Sequence, residues 1–247
     1  MNLENVNEKY HSKSKIQKRI INSKNFTYRI LVSIIDKYIR SGERIADFGS
    51  GVGTLDFYLA SRSNKVTGVD FSEIAINMAK LNSRALGVEK SVRYFKRELP
   101  FADIPGKYDS VLMTEVIEHL PDENLVLKAA NKILKKSGIL IISTRSSNAP
   151  LYRIGLTKRH DKNVGHLQRY TLNRLEKLVI KQGFCVTETG ITEGLIRDFL
   201  FSFPRLGSQI VKVANKFVIF SDFLTLIDNI FLEIFGGAQI YLVARKC

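Results

Sequence analysis

A repeated change of hydrophobic period constrains the fold of this 247-residue chain more than any other feature. Short apolar runs of strand length alternate with longer segments whose apolar side chains recur every three to four residues. The runs are Arg44–Phe48, Lys65–Asp70, Ser91–Lys96, Tyr108–Met113, Ile139–Thr144, Cys185–Ile191 and Gln239–Ala244. Between them lie helix-period segments over 26–39, 55–60, 74–85, 125–134 and 172–179, with Ser72 and Thr171 as N-caps and Gly42, Gly87, Gly138 and Gly183 as stops. Strands this far apart in sequence need crossover connections, so the sequence predicts a mostly parallel sheet covered by helices on both faces. A single α/β domain over 25–247 follows, behind a flexible or loosely helical basic arm over 1–24.

Two segments interrupt the alternation. Residues 145–170 form a long basic connection containing Arg145, Arg153, Lys158, Arg159, His160, His166 and Arg169. Residues 192–237 form a helical, lid-like insertion before the last strand. Within it Phe217, Phe220, Leu224, Ile227, Phe231 and Ile234 repeat at steps of three and four, with Asp222, Asp228 and Glu233 opposite. That pattern predicts an amphipathic helix whose apolar side packs on the domain, a substrate lid or membrane-surface contact being the alternatives. Its acidic residues exclude a bilayer span.

The strongest local motif is Asp47-Phe48-Gly49-Ser50-Gly51-Val52-Gly53, at the carboxyl end of the first strand. In an open α/β sheet a ligand binds beyond the strand ends, where strand order reverses, and glycines there let the backbone approach it. Asp70 closes the second strand twenty-one residues after Gly49, where a carboxylate can accept both hydroxyls of a ribose. Loop and acid together predict an adenosine-type cofactor. Thr54 stands where a dinucleotide fingerprint needs its third glycine, and there is no G-x-x-x-x-G-K-[ST]. Asp47 would repel a pyrophosphate but can meet an ammonium group, which favours S-adenosylmethionine.

With DFGSGVG, VTGVDFS, YDSVLMTEVIEHLPD, SGILIIST and HLQRYTLNRLEKLVIKQGF in this order, the chain resembles the class I S-adenosylmethionine-dependent methyltransferases over about 25–191 and 238–246. The resemblance implies a Rossmann-like three-layer sandwich with a seven-stranded, mostly parallel sheet, an antiparallel last strand and a helical insertion before it. It also implies that Asp47, Gly49, Ser50, Gly51 and Gly53 surround the methionine part of the cofactor and that Asp70, with Phe71 beside it, holds the ribose. Glu98, after the third strand, is the candidate for the adenine, and the backbone at Thr114 and Glu115 completes the pocket.

Methyl transfer needs an aligned acceptor, and an oxygen nucleophile also needs its proton removed. Glu115, Glu118 and His119, in E-V-I-E-H, follow the fourth strand, and on a helical turn the three can converge on one proton or one divalent cation. The same spacing resembles the ubiquinone-biosynthesis O-methyltransferases, which act on polyprenylated catechols, and the enzymes that methylate the terminal 2′-hydroxyl of small RNAs. In both it is associated with a divalent metal. The alternative reading is a helix lead-in packed against the cofactor loop. Catalytic candidates are therefore Glu118, His119 and His166, with Glu115, Glu118 and His119 as the metal candidates; His160 is an additional ligand or base, or a solvated loop histidine.

Charge bears on partners. Lys and Arg total 38 against 24 acidic residues, a formal +14. Residues 1–40 and 151–181 each contribute +6. Such segments suit an anionic membrane surface, RNA or a plain solvated surface. The expectation is an O-methylating enzyme acting on a small, lipophilic acceptor, cytoplasmic or peripheral at a membrane. An RNA 2′-O-methyltransferase or a cofactor-binding scaffold remain as alternatives. Two cysteines, Cys185 and Cys247, are too few for a disulfide framework and read as a buried small hydrophobe and a frayed terminal thiol in a reducing compartment.

Overall fold

A computed structural model describes residues 16–100 and 104–247. Its elements in chain order begin with α1 (Arg29–Tyr38), β1 (Arg44–Phe48), α2 (Thr54–Ser61), β2 (Lys65–Asp70), α3 (Glu73–Ala85), β3 (Val92–Lys96) and β4 (Tyr108–Thr114). A 3₁₀ turn at Ile117–His119 leads to α4 (Glu123–Ile133), β5 (Leu134–Arg145), α5 (Pro150–Arg153), α6 (Lys158–Val164), α7 (Leu172–Lys181) and β6 (Phe184–Thr192). The insertion comprises α8 (Leu195–Ser202), α9 (Pro204–Lys216) and α10 (Val218–Phe235), and β7 (Gln239–Lys246) ends the chain.

The seven strands lie in the order β3-β2-β1-β4-β5-β7-β6. All pairs are parallel except those made by β7, which runs antiparallel to both β5 and β6. Alternate residues of the central strands feed two cores. Phe48, Met113 and Leu140 join Val126, Leu127, Leu175 and Val179 of α4 and α7 on one face. Ile45, Leu112 and Ile141 join Ile35, Phe57 and Ile76 of α1, α2 and α3 on the other. Period-two burial on both faces accounts for nearly unbroken apolar strands, and the expected three-layer architecture is present.

The caps behave as their residue types dictate: the Ser72 hydroxyl accepts from Ala75 N–H, and that of Thr171 from Arg174 N–H. Other expectations need correction. The arm over 1–24 lies partly outside the described residues, but from residue 16 it is neither helical nor detached. Ile20 and Ile21 pack on the second core, and Gln17 N–H donates to Asn82 Oδ1 at 2.9 Å. Residues 145–170 hold two short helices. Arg145 and Arg169 are buried, so this basic connection offers fewer cations to a phosphate backbone than its sequence suggests.

Cys185 and Cys247 are bonded to each other, their Cα atoms 5.6 Å apart. The antiparallel β6–β7 ladder brings the last residue back beside the start of β6, a proximity that their separation of 62 residues conceals. The step from unpaired cysteines to a reducing compartment falls with it. Among the described residues no helix is long and apolar enough to cross a membrane.

The helix predicted over 217–234 forms, with a different orientation. Asp228, placed on the solvent face by its spacing, is buried and paired with Arg197 at 2.8 Å, whereas Phe217 and Ile234 are exposed. The insertion instead packs around Phe26, from the segment before α1, which forms a small core with Leu200 and Ala214.

Candidate active site

Strand order reverses at β1, which lies between β2 and β4, and both candidate clusters sit just past the carboxyl ends of these strands. The loop after β1 runs through Gly49, Gly51 and Gly53 at φ +79°, +53° and +85°, a left-handed path that favours glycine. A Cβ at Gly53 would lie 2.6 Å from the Phe57 ring and on the Tyr94 hydroxyl, and one at Gly49 would overlap Val116. Gly49 and Ser50 N–H both donate to Val69 carbonyl oxygen, at 2.7 and 3.0 Å, tying the loop to β2. Asp70 is buried at the end of β2; its Oδ2 accepts Gly51 N–H and its Oδ1 accepts Ser72 N–H, each at 2.9 Å. These bonds orient a carboxylate that has about four acceptor positions. Phe71 and Thr114 are half-buried, and Glu98 is exposed beyond β3.

Beneath the loop lies a second carboxylate that sequence reasoning missed. Asp56, in the first turn of α2, is fully buried alongside Asp47. Burial, then the Asp56 charge, raises the Asp47 carboxyl well above its ordinary value. Among the described residues, Asp47, Asp56 and the Tyr94 hydroxyl interact with one another and with no cationic group, and Ser50 Oγ beside them has no hydrogen-bond partner. Buried carboxylates without a cationic partner, below a glycine cradle, suit a cationic ligand group and oppose a phosphate. These residues fit S-adenosylmethionine, whose ammonium group a carboxylate at Asp47 can meet and whose ribose hydroxyls a carboxylate at Asp70 can accept. In sequence, Asp56 reads only as an acid in a helix's first turn.

The second cluster follows β4. Glu118, His119 and His166 each present one donor atom, and these atoms lie within 4.8 Å of one another. The rings of His119 and His166 are 4.8 Å apart, edge to face. His119 Nδ1 donates to the carbonyl of Gly165 at 3.1 Å, which requires the proton on Nδ1 and leaves Nε2 as the acceptor. His166 Nδ1 contacts Asp161 Oδ1 at 3.0 Å, and Arg169 grips both oxygens of that carboxylate, at 2.7 and 2.8 Å. Burial and nearby His166 lower the His119 pKa, keeping that ring neutral. Glu118 is fully buried; Oε2 accepts from Thr144 Oγ1 at 2.8 Å and Oε1 has no partner. Its pKa is raised, by burial first and by the Glu115 charge second.

Glu115 does not join this group. It sits at φ +56°, outside any helical turn, and faces Arg145, whose Nε is 3.0 Å from Oε2, and Gln239, whose Nε2 donates to Oε1. His166 takes the place that sequence spacing assigned to Glu115. His160 stands one ring further out, 6.4 Å from His166, with its pKa lowered to about 4 by burial and by Arg145. The orienting pair Asp161 and Arg169 also escaped the sequence reading. Their signal is the H-D-x-x-x-x-H run of 160–166, which pattern alone does not separate from a solvated loop.

A family model described as a methyltransferase domain matches residues 39–188. The chain belongs to this methyltransferase-domain family. The match spans both the glycine loop and the Glu118–His119–His166 cluster. Among curated relatives, this methyltransferase-domain chain is 32% identical over 112 residues to a ubiquinone biosynthesis O-methyltransferase of Pseudomonas aeruginosa (strain LESB58), covering 45% of this chain and 48% of that protein. A Chromobacterium violaceum protein of the same name is 32% identical over 126 residues, 51% of this chain and 54% of its own length. The chain thus spans about half the length of the curated relatives it matches. Among solved structures, the Haemonchus contortus phosphoethanolamine N-methyltransferase 2, crystallised with S-adenosyl-L-methionine, is similar at a TM-score of 0.61 and 19% identity, over 89% of this chain and 52% of that one. The [4+2]-cyclase SpnF is similar at 0.65 and 15%, over 88% and 80%. At these identities the likeness is one of fold, and a fold that also carries a cyclase does not name a reaction.

Proposed function

We propose that the chain transfers a methyl group from S-adenosylmethionine to a hydroxyl oxygen of a small, lipophilic acceptor. The observation that carries the reading is the convergence of Glu118, His119 and His166 just past β4, with both rings held through Nδ1. The O-methyltransferase names of the curated relatives support it.

Bound S-adenosylmethionine supplies an electrophilic methyl on a sulfonium. Asp47 and the glycine loop hold its amino-acid part, Asp70 holds the ribose, and Glu98 is assigned to the adenine. These groups act by fixing direction and distance, the main help an in-line displacement can receive. The acceptor hydroxyl must lose its proton, and Nε2 of neutral His119, or Nε2 of His166, takes it. Asp161 steadies the imidazolium that results on His166. The same three donors fit a divalent cation, because ligating histidines characteristically give their other N–H to a carboxylate or a backbone carbonyl. There Glu118, His119 and His166 would hold it, and it would lower the pKa of an acceptor hydroxyl.

The test is methyl transfer from isotopically labelled S-adenosylmethionine to prenylated catechols, to primary amines and to RNA in parallel. Label on catechol oxygen, lost in His166→Ala and His119→Ala, supports the reading. Label on amine or RNA alone rejects it, and full turnover in excess chelator rejects the metal.

A further inference from the structure

Helices α9 and α10 are amphipathic in an inverted sense. At seven-residue steps, Gly207, Ala214, Ser221 and Asp228 face inward and are buried. Large apolar side chains face outward: Leu206, Ile210 and Val213 on α9, then Ile219, Phe223 and Leu226 on α10. Ile219 is 87% exposed and Leu206 65%. Spacings of four and three place each set on one stripe, and two such stripes on successive helices form a patch that water disfavours.

Charge indicates what covers it. On α9 the stripe is flanked by Arg205, Lys212 and Lys216, and the helix has no acidic residue. Lys216 Nζ lies over the exposed Phe217 ring, 5.2 Å from its centre. On α10, Asp228 is neutralised inside by Arg197 and Asp222 is held by Arg29 at 2.7 Å, leaving Glu233 near the C-terminal end. A basic-flanked apolar stripe is the pattern of a helix lying in a membrane interface, whereas protein–protein interfaces are depleted of lysine. The insertion leaves the sheet at the edge that carries the site, since Gln239 pairs in register with both Arg145 and Thr192.

We propose that the α9–α10 face is a docking surface for an anionic lipid bilayer, with the apolar stripes immersed among the acyl chains and Arg205, Lys212 and Lys216 at the headgroups. This deepens the lipophilic acceptor proposed above and rests on that reading for its purpose, but vesicle binding is measured without turnover, so either can fail alone.

The test is sedimentation of the full-length chain with phosphatidylcholine vesicles made with and without phosphatidylglycerol. Binding to the phosphatidylglycerol vesicles is expected, falling about tenfold or more in Ile219→Asp/Phe223→Asp and losing its lipid preference in Lys212→Glu/Lys216→Glu. Both variants change exposed positions, and unaltered melting curves confirm that they fold. Wild type left in the supernatant with both vesicles, or aspartate variants that bind as well as wild type, overturns the proposal. So does a stable dimer in light scattering that Ile219→Asp converts to monomer, because a second copy then covers the face.

Discussion

The carboxylate of Asp161 lies 3.0 Å from Nδ1 of His166 and is clamped from its other side by Arg169. Asp161 therefore sets the tautomer and direction of His166 without touching the acceptor site. Replacing it by asparagine keeps the shape but lets the amide present its NH₂ to the ring. We expect Asp161→Asn to lower kcat by roughly 10- to 100-fold, while the affinity for S-adenosylmethionine changes little. Steady-state kinetics beside a binding titration would separate the two, and an unchanged kcat would deny Asp161 this role.

Asp47 and Asp56 lead to a pH dependence of cofactor binding. Burial and the neighbouring carboxylate hold the Asp47 pKa up, so the ligand-free pair retains a proton that an ordinary aspartate has lost. An ammonium group favours the ionised form. Asp56 beside Asp47 is pushed up to about 7 by burial, so binding expels a proton from the pair and affinity rises with pH through neutrality, until the ammonium itself deprotonates. Calorimetry in buffers of different ionisation enthalpy reads the release directly. Proton uptake, or affinity falling as pH rises through neutrality, would count against Asp47 as the ammonium partner.

Gly53 combines a left-handed φ of +85° with close approach by Phe57 and Tyr94. Gly53→Ala is expected to cost about 1–3 kcal/mol and to weaken cofactor binding, because the loop must move before the side chain fits. Thermal melts together with titration check this. Wild-type values in both would mean that the loop is softer than its packing implies.

Arg197 and Asp228 tie α8 to α10 within the insertion. Both are about 1% exposed; Arg197 lies over the Phe26 ring, and Asp228 also accepts Gly194 and Arg197 backbone N–H. Asp228→Ala leaves a buried guanidinium without its partner, and a loss of roughly 3–5 kcal/mol is expected in chemical denaturation. A loss under about 1 kcal/mol would place the pair in the class of surface ion pairs.

The strands and the cofactor loop were legible in the sequence because their causes are local. Glycine at Gly49, Gly51 and Gly53, an acid at Asp70 and short apolar runs are all contained in one strand–helix–strand unit. His166 could be named as a candidate from the sequence, but its convergence with Glu118 was not legible. His166 lies 48 residues away and is brought in by tertiary contacts, among them Leu167 N–H donating to Glu118 carbonyl oxygen at 2.9 Å. Helical spacing also misled twice. Glu115 leaves the helical turn through a positive φ, and in α10 the period shows which residues share a face but not which face turns inward. Buried Asp228 and exposed Ile219 go with the pairing of Asp228 to Arg197, two helices earlier.

The most direct test of the account is a calorimetric titration of the purified full-length chain with S-adenosylmethionine and with S-adenosylhomocysteine. It predicts one-to-one binding of both by the wild type and an affinity lower by about 2–3 kcal/mol in Asp70→Ala, where ribose hydroxyls lose their acceptor. Absence of binding for both nucleosides, or an Asp70→Ala variant that binds as tightly as wild type, would contradict it.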